Sequence, residues 1–200
     1  MHRLLGFNRD MPQPFKAVVV YESMYGNTHL IADAVAEGVA EAAGASDDAV
    51  VVVAVDHAGL DVVSGVDLLV VGGPTHVHGM SRASTRKAAV EAAAKPDSDL
   101  EVEPDAEGVG LREWFDSLEP LSLNAAAFDT RMKGPPAFTG RASKGIAKRL
   151  RDRACTLVVE PESFLVTKEN HLLDDEVAHA RTWGARLVTA LERPAPADLP

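Results

Sequence analysis

Seven residues, Glu22-Ser23-Met24-Tyr25-Gly26-Asn27-Thr28, join an apolar β-branched run to a segment of helical periodicity, and they are rich in groups that hydrogen-bond an anion. The main-chain N–H groups of a helix's first turn have no partner within the helix and lie at the positive end of its dipole, so such a turn favours negative charge. Ser23 and Thr28 add hydroxyl donors, Asn27 adds an amide, and Gly26 lets the backbone curve closely around a ligand. This set suits a phosphate without calling for a cation. An ordinary strand-to-helix turn capped by Asn27 or Thr28 uses the same residue types, and both readings stand on composition alone. Two other phosphate loops are excluded: the stretch is not GxGxxG, and neither GxxxxGKS nor GxxxxGKT occurs in the chain.

The elements that must position this turn follow from periodicity. Residues 16–21 (KAVVVY), 49–55 (AVVVVAV) and 67–72 (DLLVVG) are short, nearly continuous apolar runs, the pattern of strands buried on both faces of a parallel sheet. Residues 124–128 and 155–159 repeat the pattern more weakly and bring the strands to five. Ile31, Ala34, Val35, Gly38, Val39 and Ala42 recur at helical spacing, with a stop at Ala43-Gly44. Further helices are expected over 81–94, 143–153 and 174–191. Alternating strands and helices imply right-handed crossovers and an open parallel α/β sheet covered on both faces. In such sheets the ligand sits beyond the carboxyl ends of the strands, where strand order reverses, which points to the loops after Tyr21, Gly72 and Phe128.

The stretch Val19-Val20-Tyr21-Glu22-Ser23-Met24-Tyr25-Gly26-Asn27-Thr28, continuing to Ala32 and Val35, resembles the N-terminal signature of the flavodoxin family, and the element order from 16 to about 191 agrees with it. The resemblance implies a three-layer flavodoxin-like α/β sandwich whose five-stranded parallel sheet runs in the order 2-1-3-4-5. It also implies flavin mononucleotide (FMN) as cofactor, with the phosphate held by Ser23, Met24, Tyr25, Gly26, Asn27 and Thr28. Tyr25 stands where many members carry a second threonine. The loop containing Pro74, Thr75, His76, Val77, His78 and Gly79 resembles that of the flavodoxin-like quinone reductases and would cover the flavin ring. There His76 or His78 would stack or hydrogen-bond, Thr75 would reach the ring edge, and Gly79 would permit the backbone rearrangement by which flavodoxins accept a hydrogen bond from reduced flavin. Thr130 and Arg131 belong to the stretch expected to hold the pyrimidine edge, with Phe138 as its aromatic residue. Arg131 either stabilises the anionic reduced flavin or pairs with Asp129 or solvent. His76 and His78 lack the carboxylate or cysteine company of a metal site, and no metal is expected.

Lys plus Arg number 20 against 30 Asp plus Glu, a net charge of -10, which opposes a nucleic-acid partner. The single cysteine, Cys155, can form no internal disulfide, which fits a cytoplasmic protein. No run approaches the roughly eighteen apolar residues of a membrane span. Residues 1–15 lack the hydrophobic centre of a signal peptide and read as a loose leader, 16–194 as one domain, and 195–200 as a tail. Within the domain, 95–110 is an acidic insertion expected as a solvated flap, and 111–118 is an amphipathic helix expected to pack through Leu111, Trp114, Phe115 and Leu118. Arg141, Lys144, Lys148, Arg149, Arg151 and Arg153 cluster near the fourth helix, as a solvated face or as a dock for an acidic partner or a nicotinamide donor.

The expected function is that of an FMN-binding electron-transfer protein, exchanging electrons with a redox partner protein or a small quinone-like acceptor. Two alternatives stand beside it. One is an FMN-dependent oxidoreductase that moves electrons from a nicotinamide cofactor to a quinone-type or protoporphyrinogen-type substrate. The other is a flavodoxin-like module that has lost FMN and acts in binding. No catalytic acid or base is assigned.

Overall fold

A computed structural model of the chain describes residues 14–46 and 48–192; most of the expected leader and all of the expected tail lie outside the described residues. Ala17–Tyr21 (β1) is apolar and buried at every position, as an inner strand must be. It pairs in parallel with Val50–Ala54 (β2) on one side and Leu68–His76 (β3) on the other, Val19 lying opposite Val52 and Val70. β3 turns back through Val77 and His78 into the short antiparallel Gly79–Met80 (β4). Asn124–Met132 (β5) pairs in parallel with the far side of β3, Pro74 opposite Thr130. The last place is shared by Thr156–Leu157 (β6) and Glu162–Val166 (β7), both parallel to β5. By position this is the expected order 2-1-3-4-5.

The fifth strand corrects the sequence reading. It was placed at 155–159, yet only Thr156–Leu157 pair there, and the main pairing with β5 is made by Glu162–Val166. Pro161 has no N–H to give to a ladder, so the strand breaks before it: residues 158–161 stand opposite only Ala126 and Ala127. β3 and β5 also run beyond their expected ends at Gly72 and Phe128, so Thr75 and Thr130 stand on strands rather than in loops.

Asn27–Ala43 (α1) covers one sheet face together with the C-terminal helix, while the short Leu60–Val63 (α2) sits after β2 on the other. Ala83–Ala93 (α3), expected as a crossover helix, gives no residue to either sheet-facing cluster; its Ala89 packs instead on Met24 and Ala106. That second face is covered by Leu111–Ser117 (α4), through Leu111, Trp114 and Phe115 as expected, and, after the single turn Pro136–Thr139 (α5), by Ala142–Asp152 (α6).

Glu176–Leu191 (α7) crosses α1 at two glycines. A Cβ on Gly38 would strike the carbonyl of Arg181, and one on Gly184 would strike that of Val35. Gly184→Ala gains about 1 kcal/mol of helix propensity but overpacks a seam that cannot yield without separating the helices, at a typical cost of about 1–3 kcal/mol. The variant should unfold at lower urea than the wild type. A stabilised Gly184→Ala protein would show that the two helices do not approach this closely.

Candidate functional site

β1 hands the chain to Glu22, whose N–H still bonds Gly72 O at 3.0 Å. The chain then curls: Ser23 Oγ accepts from Gly26 N–H at 3.1 Å, and Gly26 takes φ 84°, a left-handed conformation open to glycine. α1 begins at Asn27 with no side-chain cap and no acidic residue in its first turn. The N–H of Leu30 bonds Gly26 O at 2.9 Å; among the described residues nothing takes the N–H groups of Asn27, Thr28 and His29. This uncapped turn forms one wall of a cleft of about 280 Å³ at the carboxyl ends of β1, β3 and β5. Thr28 Oγ1 and Thr130 Oγ1 meet at 2.7 Å, tying the turn to β5 while using one of their two hydroxyl protons. Asn27 Nδ2 donates to Asn170 O at 2.8 Å and ties it to the loop after β7.

Of the residues singled out in the sequence, Ser23, Met24, Tyr25, Asn27, Thr28, Pro74, Thr75, His76, Thr130 and Arg131 line the cleft, and Gly26 supplies the turn between them. Val77, His78 and Gly79 do not line it. They form the β3–β4 hairpin, with Val77 at φ 46° and His78 at φ 68°, a strained conformation for a β-branched residue. His76 and His78 are therefore parted, one in the cleft and one outside. Tyr25 turns its O–H onto Ala89 O at 2.9 Å, away from the first turn of α1. Arg131 makes no pair with Asp129: its Nη1 donates to Gly134 O at 2.9 Å and Thr139 Oγ1 at 3.0 Å, stapling its own loop. Phe138 is 77% exposed and covers nothing. The sequence reading missed Met132, Val166, Thr167, Lys168 and Asn170. The signal for the last four was Pro161, which moves the fifth strand, and with it the loop that follows, toward the C-terminus.

No family model and no curated protein matches the chain. Solved structures do. An archaeal flavodoxin is similar over 90% of this chain and 100% of its own, at 20% identity and a TM-score of 0.59. Flavodoxin 1 from Bacillus cereus follows with 87% and 97% covered, 21% identity and a TM-score of 0.57. A WrbA-like flavodoxin from Agrobacterium tumefaciens has 88% and 97% covered, 21% identity and a TM-score of 0.54. The fold is flavodoxin-like.

On this flavodoxin-like frame the acidic segment 95–110 exposes Asp97, Asp99, Glu101, Asp105 and Glu107 to solvent, as expected, and is anchored as a strap against the first loop. Glu103 N–H donates to Met24 O at 2.9 Å, Glu103 Oε1 meets His29 Nδ1 at 2.9 Å, and Ala106 is buried on Met24. His29 also stacks on Tyr21 at 4.3 Å. Burial, and then Glu103 and other nearby carboxylates, push the Tyr21 phenol up to about 12. The strap's far end is fixed by Glu22, whose Oε2 accepts from Leu111 N–H at 2.8 Å. The basic cluster is largely spent within the fold: Arg141 binds Pro161 O and Ser163 Oγ, Arg153 binds Phe115 O, Arg149 pairs with Asp116, and Lys148 with Asp152. That weighs against its use as a dock. Cys155 is buried, and burial pushes its thiol up, as befits an inert residue. Among the described residues no helix is long and apolar enough to cross a membrane.

Behind the cleft, Glu22 and Arg86 are 4% and 3% exposed, and Arg86 reaches Glu113 and Ser81 Oγ at 3.3 Å each. Burial, and then Arg86, lower the His76 imidazole, which is therefore neutral at neutral pH. Burial raises the Glu22 carboxyl above its ordinary 4.5, against the opposing pull of Ser81, the Leu111 N–H and Arg86. A raised carboxyl binds its proton more tightly in the folded chain than in the unfolded one. Stability therefore falls as pH climbs from 4.5 through the raised value. Glu22→Gln keeps an acceptor for Leu111 and removes the charge, so its stability should fall less than that of the wild type over that range in urea melts at stepped pH. A variant as pH-dependent as the wild type would show that another group titrates.

Proposed function

We propose that this chain binds FMN and uses it to carry electrons. The observation that carries the reading is the first turn of α1: N–H groups without a partner among the described residues, no acidic residue within the turn itself, and a cleft in front of them at the point where strand order reverses. Ser23, Gly26, Asn27 and Thr28 would hold the phosphate, through main-chain N–H groups and hydroxyls. Pro74, Thr75 and His76 on one side and Thr130, Arg131 and Met132 on the other would hold the ring, and Val166, Thr167, Lys168 and Asn170 would close the remaining wall. Bound FMN supplies one- and two-electron chemistry. The chain's own residues orient the ligand, keep water from its phosphate, and present a neutral imidazole at His76. We take residues 16–194 as the functional unit, with 95–110 as its insertion.

The electron partner is a redox protein or a small quinone-like acceptor. One feature favours the second, and with it an FMN-dependent oxidoreductase. No tryptophan lines the cleft, Tyr25 is tethered to Ala89, and Phe138 points outward, so the ring would stay open to a flat acceptor. The reading of a module that has lost FMN is disfavoured, because no side chain caps the first turn of α1.

Hydrogen bonds to a charged group contribute about 1.5–3 kcal/mol, roughly ten- to a hundredfold in affinity. Thr28→Ala should therefore weaken FMN at least tenfold in a fluorescence titration and change riboflavin, which lacks the phosphate, much less. Equal losses for the two ligands would remove the phosphate assignment.

A further inference from the structure

Thr75 stands on β3 at the cleft wall, and its hydroxyl is fully oriented from behind. Its one proton goes to Asp129 Oδ2 at 3.2 Å, and the oxygen accepts Ala142 N–H at 2.9 Å. The same carboxylate oxygen accepts Ser143 N–H at 2.7 Å. Ala142 and Ser143 open α6, an eleven-residue helix with no side-chain cap from Arg141, so the carboxylate of Asp129 serves the positive end of that helix. Asp129 is 0% exposed, and its Oδ1 has no partner among the described residues. If Thr75 rotated its proton into the cleft, a second oxygen of a fully buried carboxylate would lose a donor, which is costly. A hydroxyl has one proton and two lone pairs. What Thr75 has left for a ligand is therefore a lone pair only.

The neighbouring hairpin is clamped as firmly. Arg112 Nε donates to Ser81 O at 2.8 Å and its terminal nitrogen to Met80 O at 3.1 Å. Gly140 lies so close to the backbone of His78 that a Cβ there would overlap it, and a bridge joins the two residues. Gly79 lies outside the cleft lining. The backbone rearrangement expected at Gly79 is thus opposed from two sides, while a ready acceptor stands four residues earlier.

Resting on the FMN reading, we propose that Thr75, with Asp129 as its positioning residue, is the fixed acceptor for the N–H that flavin carries at N5 only when reduced, in place of a rearranged backbone carbonyl. Oxidised flavin presents a lone pair at N5, which a lone pair on Thr75 opposes. Reduced flavin presents a donor, which it takes. The hydroxyl thereby favours the reduced cofactor and raises its potential.

The test compares oxidised and anaerobically reduced FMN on the intact chain, by affinity and by midpoint potential, in Thr75→Val, Thr75→Ser and Asp129→Leu. Thr75→Val keeps the shape of the side chain and should bind reduced FMN about tenfold more weakly relative to oxidised FMN, a fall of about 30 mV for the two-electron couple. Thr75→Ser should restore the wild-type value, and Asp129→Leu, which leaves the hydroxyl proton without its acceptor, should move the potential in the same direction as Thr75→Val. Equal weakening of both redox forms by Thr75→Val would mean that Thr75 meets an N–H present in both, such as N3–H, and would overturn the proposal, as would an unchanged potential. If Asp129→Leu fails to fold, the valine and serine variants decide the matter. A wild-type chain that binds no FMN overturns the earlier reading and this one with it, whereas FMN binding with an unmoved potential overturns this one alone.

Discussion

The main-chain N–H groups of Asn27, Thr28 and His29 find no acceptor among the described residues, and the rest of the cleft is arranged around that fact. Unpartnered donors at the start of a long helix are a standing positive charge that needs no basic side chain. They are produced by a strand that ends flush against Gly72, a serine that holds the turn closed, and one glycine in left-handed backbone. The dipole behind them runs through the 17 residues of α1, whose position on the sheet is set by the glycine seam with α7. An acidic chain with a net charge of -10 can thus offer an anion a site whose donors are main-chain N–H groups.

Around this turn, three neighbours act as splints. The Thr28–Thr130 bond reaches across to β5, the Asn27–Asn170 bond reaches the loop after β7, and the acidic strap lies behind, fastened through Met24, His29 and Glu22. Each splint brings in an element distant in sequence. The wall opposite the turn is likewise built on strands, since β3 and β5 extend to His76 and Met132, so ligand-facing groups stand on sheet rather than on free loops. Rigid support of this kind gives hydrogen-bonding groups fixed polarity, of which Thr75 is the clearest case.

What the sequence made legible was whatever depends on a few adjacent residues. The five buried apolar residues of β1, the glycine and hydroxyls of the turn, and the stripe of α1 each carry their structural reason locally; their alternation implied a parallel sheet, and the strand order came from the flavodoxin resemblance. What stayed hidden depends on contacts across the chain. The fifth strand was misplaced because 155–159 is as apolar as a strand should be, while Glu162-Ser163 begins the true partner of β5 with polar residues; only Pro161 betrayed the break. With it went Lys168 and Asn170. The contacts of Arg131 within its own loop were hidden because its acceptors are main-chain carbonyls and a threonine, which leave no mark in the side-chain pattern. The anchoring of the acidic strap stayed hidden because it rests on one alanine, one main-chain N–H and one carboxylate in a run otherwise rich in charge.

The most direct measurement is a titration of isotopically labelled protein followed through its backbone amide resonances, with FMN and with riboflavin in parallel. The account predicts that FMN moves the amides of Gly26, Asn27, Thr28 and His29 most strongly, and that riboflavin moves residues of β3 and β5 but leaves those four nearly in place. Saturation with FMN that leaves the amides of Asn27, Thr28 and His29 unmoved would contradict it.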